Sequence, residues 1–161
     1  IDREYTIAYV NIDTLITKYN LYLDKVEELK LKHGESEAEL QIKSKELDSE
    51  LQKYRSDVSK GLITRTKAQM VEQDLGKKQQ ELYARGEYLQ RELYEEEQVM
   101  NRQVLNSIME YLKEYNKEHN YRYILSNTFG GPFLYTDNTL NITYDVLKGL
   151  NENYTKEKAN K

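Results

Sequence analysis

Residues 24–116 constrain the fold more than any other part of the chain. They are rich in Glu, Lys, Gln and Leu, and are broken near the middle by a short basic run, "SKGLITRTK", at residues 59–67. That composition belongs to a long helix or coiled coil. In the first half, steps of three and four residues link Val26, Leu29, His33, Ser36, Leu40, Ser44, Leu47, Leu51, Tyr54 and Val58. Such spacing keeps one stripe turned toward a partner helix. The stripe is thin, because His33, Ser36 and Ser44 are polar. In the second half the stripe is Val71, Leu75, Lys78, Leu82, Arg85, Leu89 and Leu93. Gly61 can take the left-handed conformation that ends a helix. Thr64 or Thr66 can cap the next helix, and Thr66 with Gln69 has capping-box spacing. Two stripes joined by a short loop fold back as an antiparallel hairpin. A helix over residues 24–59 would reach about 54 Å, too far for so poor a core to cover. The basic run is therefore expected at the tip of an arm.

The flanks read differently. "YTIAYVNI", residues 5–12, is apolar on both faces and predicts a buried strand. Asp13 is a candidate N-cap for a short helix after it. Residues 121–127 and 132–137 read as two further strands, and Gly130-Gly131 between them predicts a β-hairpin. Thr143 is a candidate N-cap for a closing helix, with Asp145 well placed against its dipole. The expected fold class is α+β, a small β body with a long helical hairpin as a coiled-coil arm. Its parts are body residues 1–23, arm residues 24–116 with the tip at 59–67, body residues 117–154, and a frayed tail at 155–161. Ile7, Tyr9, Val10, Ile124, Leu125, Phe133 and Leu134 are expected to pack the body. About 60 residues bury little core, so oligomerisation through the body is the expected remedy.

Composition excludes several functions. The chain has no cysteine, which removes disulfides, thiol catalysis and thiolate zinc sites. Its net charge of −4 argues against nucleic acid as a partner. No apolar run is long enough to span a bilayer. The two histidines, His33 and His119, lie on different segments without metal-ligand spacing, and Glu95-Glu96-Glu97 point around the helix rather than together. Neither a metal, a cofactor nor an enzymatic activity is expected.

Charge and tyrosine carry the binding signals. Between residues 53 and 67, Lys53, Arg55, Lys60, Arg65 and Lys67 face only Asp57, a net of +4. Residues 24–97 hold 14 basic and 18 acidic residues, −4 in all, so the shafts outside the tip carry −8. The tip is either a contact for anionic lipid or lipopolysaccharide head groups or an ordinary solvated loop. Fifteen tyrosines stand against two phenylalanines and no tryptophan. Tyr83 and Tyr94 share a helix face, with Tyr88 on the other side of the stripe, and a tyrosine ring joins apolar area to a hydroxyl at low entropic cost. These three are candidate client contacts, or else padding for the helix interface. Tyr111 and Tyr115 read better as packing on the body.

At both ends the residues resemble a known family. "IAYVNIDTL", a charged helical hairpin, and "YRYILSN…FLYTDNTLNITYDVLKGLN" are similar to the Skp/OmpH family of periplasmic chaperones. The specific parts are Val10-Asn11, Leu134-Tyr135, Asn141-Ile142-Thr143 and Asp145-Val146-Leu147-Lys148. The resemblance implies a jellyfish-like homotrimer that holds unfolded outer-membrane proteins between its arms without ATP. It also implies a periplasmic location, the signal peptide being taken as removed from a chain that starts at Ile1. Known members are strongly basic, whereas this chain is acidic. The rival reading is a coiled-coil scaffold or adaptor for one folded partner.

Overall fold

The computed structural model describes residues 7–160. The elements run β1 (Ile7–Asn11), α1 (Ile12–Lys18), α2 (Asn20–Ser59), α3 (Arg65–His119), β2 (Tyr123–Asn127), a 3-10 turn (Asn138–Leu140) and α4 (Thr143–Ala159). The chain divides into two units. One holds the residues through Glu28 and from Gln98 onward, and the other is Leu29–Glu97.

In the first unit β1 and β2 pair in parallel, Ile7 opposite Tyr123 and Asn11 opposite Asn127. Parallel strands need a crossover, here α1, α2 and α3 together. On its other side β1 meets Asn141, with the Ile142 amide donating to the Tyr9 carbonyl at 3.0 Å. The predicted strand at residues 132–137 does not form, and the expected β-hairpin is replaced by this parallel pair. The Gly130-Gly131 turn itself is present: Gly130 has φ 73° and the Gly131 amide donates to the Thr128 carbonyl. The segment after the turn begins with Pro132, which brings no amide donor to a ladder. Tyr5 and Thr6, expected in the first strand, lie outside the described residues.

The core of this unit forms where β1, α1, α3 and α4 meet. Ala8, Val10, Leu15, Val104, Ile108, Val146 and Leu150 are buried there. Residues 98–116, expected to belong to the arm, therefore supply much of the body's interior. Among the expected packing residues, Tyr9 and Val10 are buried, and Ile124 and Leu125 are half-buried. Ile7 and Phe133 are only partly covered within the chain, at 39% and 38% exposure, and Leu134 is fully exposed.

Capping departs from two further expectations. Asn11, not Asp13, caps α1, its side chain accepting from the Thr14 amide at 2.9 Å. At α4, Asn141 Oδ1 accepts from both the amide and the hydroxyl of Thr143. The Thr143 hydroxyl in turn accepts the Asn11 amide at 2.9 Å, which satisfies a side chain that is 1% exposed. Asn11, Asn141 and Thr143 thus tie the end of β1 to the start of α4.

The C-terminal residues are held rather than frayed as far as Ala159. Lys158 Nζ lies 2.5 Å from Asp24 Oδ2, and the Tyr154 hydroxyl donates to the same oxygen at 2.9 Å. Tyr154 also meets Tyr19 edge-on at 6.1 Å. Gly149 makes room for Tyr111: a Cβ there would sit 1.7 Å from the tyrosine oxygen.

In the second unit α2 and α3 lie antiparallel. Lys32 pairs with Glu96, Glu39 with Arg85, and Glu50 with Lys78, so numbers rise on one helix as they fall on the other. Leu47, Leu75 and Leu89 are the buried apolar side chains of this seam. The connection ends α2 in a Schellman motif: the Leu62 amide donates to the Asp57 carbonyl, the Gly61 amide to Val58, and Gly61 has φ 65°. Thr64 rather than Thr66 caps α3, its hydroxyl accepting from the Lys67 amide at 3.3 Å.

Candidate functional site

The helical hairpin has two edges that differ in kind. One edge is laced with ion pairs. Arg85 grips Glu39 through Nε and an Nη at 2.9 and 3.0 Å, and Lys43 approaches the same carboxylate at 3.1 Å. Hydrogen bonding from Arg85, then Lys43, holds the Glu39 carboxyl down at about 2. Lys78 reaches Glu50 at 2.6 Å and Asp74 at 3.2 Å, and Lys32 reaches Glu96 and Glu92. The pKa values of Lys32 and Lys78 are raised, chiefly by hydrogen bonds to Glu96 and Glu50. The basic positions Lys78 and Arg85 within the heptad stripe are thus the cross-links between the helices.

The other edge is open. His33, Ser36 and Ser44 are small or polar where a coiled coil would carry large apolar side chains, and Gly86 lies across from them. A Cβ at Gly86 would only touch Leu40, at 4.0 Å. The missing side chains leave a groove of about 570 Å³, floored by Leu40, Leu82, Leu89 and Leu93. Its rim carries Tyr83, Glu37 and Glu87. Glu37 lies 3.3 Å from His33 Nε2. A hydrogen bond to Glu87 raises the Tyr83 pKa. The polar stripe positions were visible in the sequence, but a groove also needs Gly86 opposite them, and pairing register is not written in either stripe alone.

Tyr83, Tyr88 and Tyr94 are exposed by 69%, 47% and 62%, so they do not pad the helix interface. They do not converge: Tyr83 lines the groove, while Tyr88 stacks beneath Arg85, 5.4 Å from the guanidinium. At the connection, Lys53, Arg55, Lys60, Arg65 and Lys67 are all exposed. Sequence reasoning missed that Val58, Leu62 and Met70 are exposed beside them, at 47%, 66% and 67%. Among the described residues no group of His, Asp and Glu could hold a metal ion, and no helix is long and apolar enough to cross a membrane.

The fold is a self-paired helical hairpin inserted between the two strands of a small parallel sheet. A family model described as "Outer membrane protein (OmpH-like)" matches residues 6–150, and the chain belongs to that family. Among solved structures, it is similar to a Caulobacter crescentus protein described as an OmpH-like outer membrane chaperone. The TM-score is 0.83 at 15% identity, covering 95% of this chain and 88% of that one. No curated protein matches the sequence. The motif residues Asn11, Asn141 and Thr143 are the hydrogen-bond network at the root of α4, so the most specific part of the sequence is structural.

Proposed function

We propose that this chain is an ATP-independent holdase chaperone of the periplasm. It sequesters unfolded outer-membrane proteins between helical arms and so prevents their aggregation. The observation that carries the reading is the hairpin's exposed apolar surface. Leu31, Ile42, Tyr83, Tyr88 and Tyr94 stand exposed at intervals along it, each among charged neighbours. Each offers a weak contact, and no single one is large enough to select a folded partner. Many such contacts hold an extended chain, and each releases without an energy source. No residue performs chemistry in this scheme.

The homotrimer has its own support. Among the described residues the outer edge of β2 is unpaired, and open edges invite strands from other copies. Directly after β2 come Phe129 and Leu134, both fully exposed, and Tyr135, 86% exposed. Ile7 and Phe133, 39% and 38% exposed, would add to that surface. Sister subunits would cover it.

Light scattering on the purified chain is expected to return three times 19.2 kDa, falling to the single mass in Phe129→Ser/Leu134→Ser. The trimeric protein is expected to keep a diluted unfolded barrel protein soluble without nucleotide. A monomeric wild type, or client aggregation that proceeds unaltered, would overturn the corresponding half of the proposal.

The tip extends the partner set. Exposed Val58, Leu62 and Met70 among five basic side chains suit an anionic lipid or lipopolysaccharide surface, each cation contributing about 1 kcal/mol there. Lys60→Glu/Arg65→Glu/Lys67→Glu is expected to abolish sedimentation with anionic vesicles. Binding that persists in this variant would leave the tip as a solvated loop.

A further inference from the structure

We infer that the open edge of the hairpin is a docking groove for an extended segment in which Arg or Lys stands near large apolar side chains. The inference rests on the holdase reading and names the chemistry of what one part of the arm prefers.

Charge is used unequally on the two edges. On the closed edge five carboxylates have a cation: Glu39 has Arg85 and Lys43, Glu50 and Asp74 share Lys78, and Glu92 and Glu96 share Lys32. On the open edge, Glu37 has only His33 and Glu87 only the Tyr83 hydroxyl. Among the described residues neither is paired with a lysine or arginine. The two carboxylates thus border an apolar floor with their charge uncompensated. A peptide of the same composition but acidic would meet repulsion there. A basic side chain fits on both counts, since its aliphatic stem can lie on the leucines while its head reaches the rim. Arginine suits this better than lysine, because its fork can grip a carboxylate through two bonds and stack on the Tyr83 ring.

Size agrees. Between His33 and Ser44 the groove follows α2 for about 16 Å at 1.5 Å per residue. An extended chain at about 3.3 Å per residue places roughly five residues along it. Alternate residues of such a segment point the same way, so an arginine and an apolar side chain two positions apart can enter together. The overall acidity of the chain thereby gains a role: the shaft selects basic stretches of a client.

The test uses two short fluorescent peptides, one alternating arginine with leucine and its twin with glutamate for arginine. Fluorescence anisotropy with the full-length protein is expected to show the arginine peptide binding about tenfold more tightly at low salt, as a charge-assisted hydrogen bond contributes. The difference should shrink as salt screens the rim. Glu37→Gln/Glu87→Gln, which preserves size and hydrogen bonding, should equalise the two peptides. Gly86→Leu removes a helix glycine but fills the groove, and should weaken both. Equal affinity in the wild type, or a preference that survives Glu37→Gln/Glu87→Gln, overturns the inference. So does competition by the basic tip of a second copy, seen as self-association that the same variant abolishes. Client holding is assayed on the same preparation. A protein that holds its client without an arginine preference retains the holdase reading and loses the groove. One that shows the preference without holding does the reverse.

Discussion

Ile108→Ala is expected to destabilise the unit built on β1, β2 and α4 by about 3 kcal/mol, within the 2–5 kcal/mol range for truncating a buried isoleucine. Ile108 is fully buried, one turn from Val104, which is equally inaccessible. Around them stand Leu15, Val146 and Leu150, and the whole buried cluster is small. A cavity here has few neighbours that could collapse into it, and a domain's total stability is only about 5–15 kcal/mol. Urea unfolding followed by tyrosine fluorescence should show the midpoint falling with little change of slope. The same truncation at Leu105, which is 40% exposed on the same helix, is the control and should cost under about 1 kcal/mol. If the two variants unfold alike, the C-terminal half of α3 does not belong to this core.

The position of Ile108 also explains how far the sequence could be read. Leu89, Leu93, Met100, Val104 and Ile108 form one slowly drifting stripe on α3. Its first members face α2, while Val104 and Ile108 face the sheet and α4. Periodicity reports which face of a helix is buried but not what covers it, so the stripe looked like arm throughout. The helical hairpin, its break at Gly61 and the strand at Ile7–Asn11 were legible because each rests on local chemistry. The parallel pairing was not, because β2 had two candidate partners, and Asn141 had no strand pattern to announce its place beside β1. Likewise the tail read as a frayed terminus, yet its Lys158 joins Tyr154 on Asp24, far away in the sequence. The groove was half legible: its polar stripe positions were visible, and the register that sets Gly86 against them was not.

Alkaline pH should unfold this same unit first. Tyr19, Tyr111, Tyr115 and Tyr154 all lie in it, and the pKa of each is raised, with burial the leading cause. For Tyr115 the second cause is its hydrogen bond to Asp145 at 2.7 Å, and for Tyr154 it is the bond to Asp24. Below pH 10 these tyrosines are protonated whether folded or unfolded, and their contribution is fully present. As pH rises past 10 the unfolded chain loses its phenolic protons while the folded chain keeps them. The folded state then binds more protons than the unfolded state, so stability falls with increasing pH. The hairpin loses something over the same range, because Lys32 and Lys78 also titrate from raised values. Those pairs are exposed, however, and exposed pairs contribute little. Stability measured against pH should therefore drop above 10, with the last part of the tyrosinate absorbance, that of the buried tyrosines, appearing only together with loss of structure. Tyr115→Phe keeps the ring, which lies between Tyr111 and His119, and deletes the proton. Its stability is expected to start lower at neutral pH, for want of the bond to Asp145, and to decline less steeply above pH 10. Parallel declines in the wild type and Tyr115→Phe would mean that the Tyr115 hydroxyl titrates freely and that the packing of α3 against α4 differs from the one described.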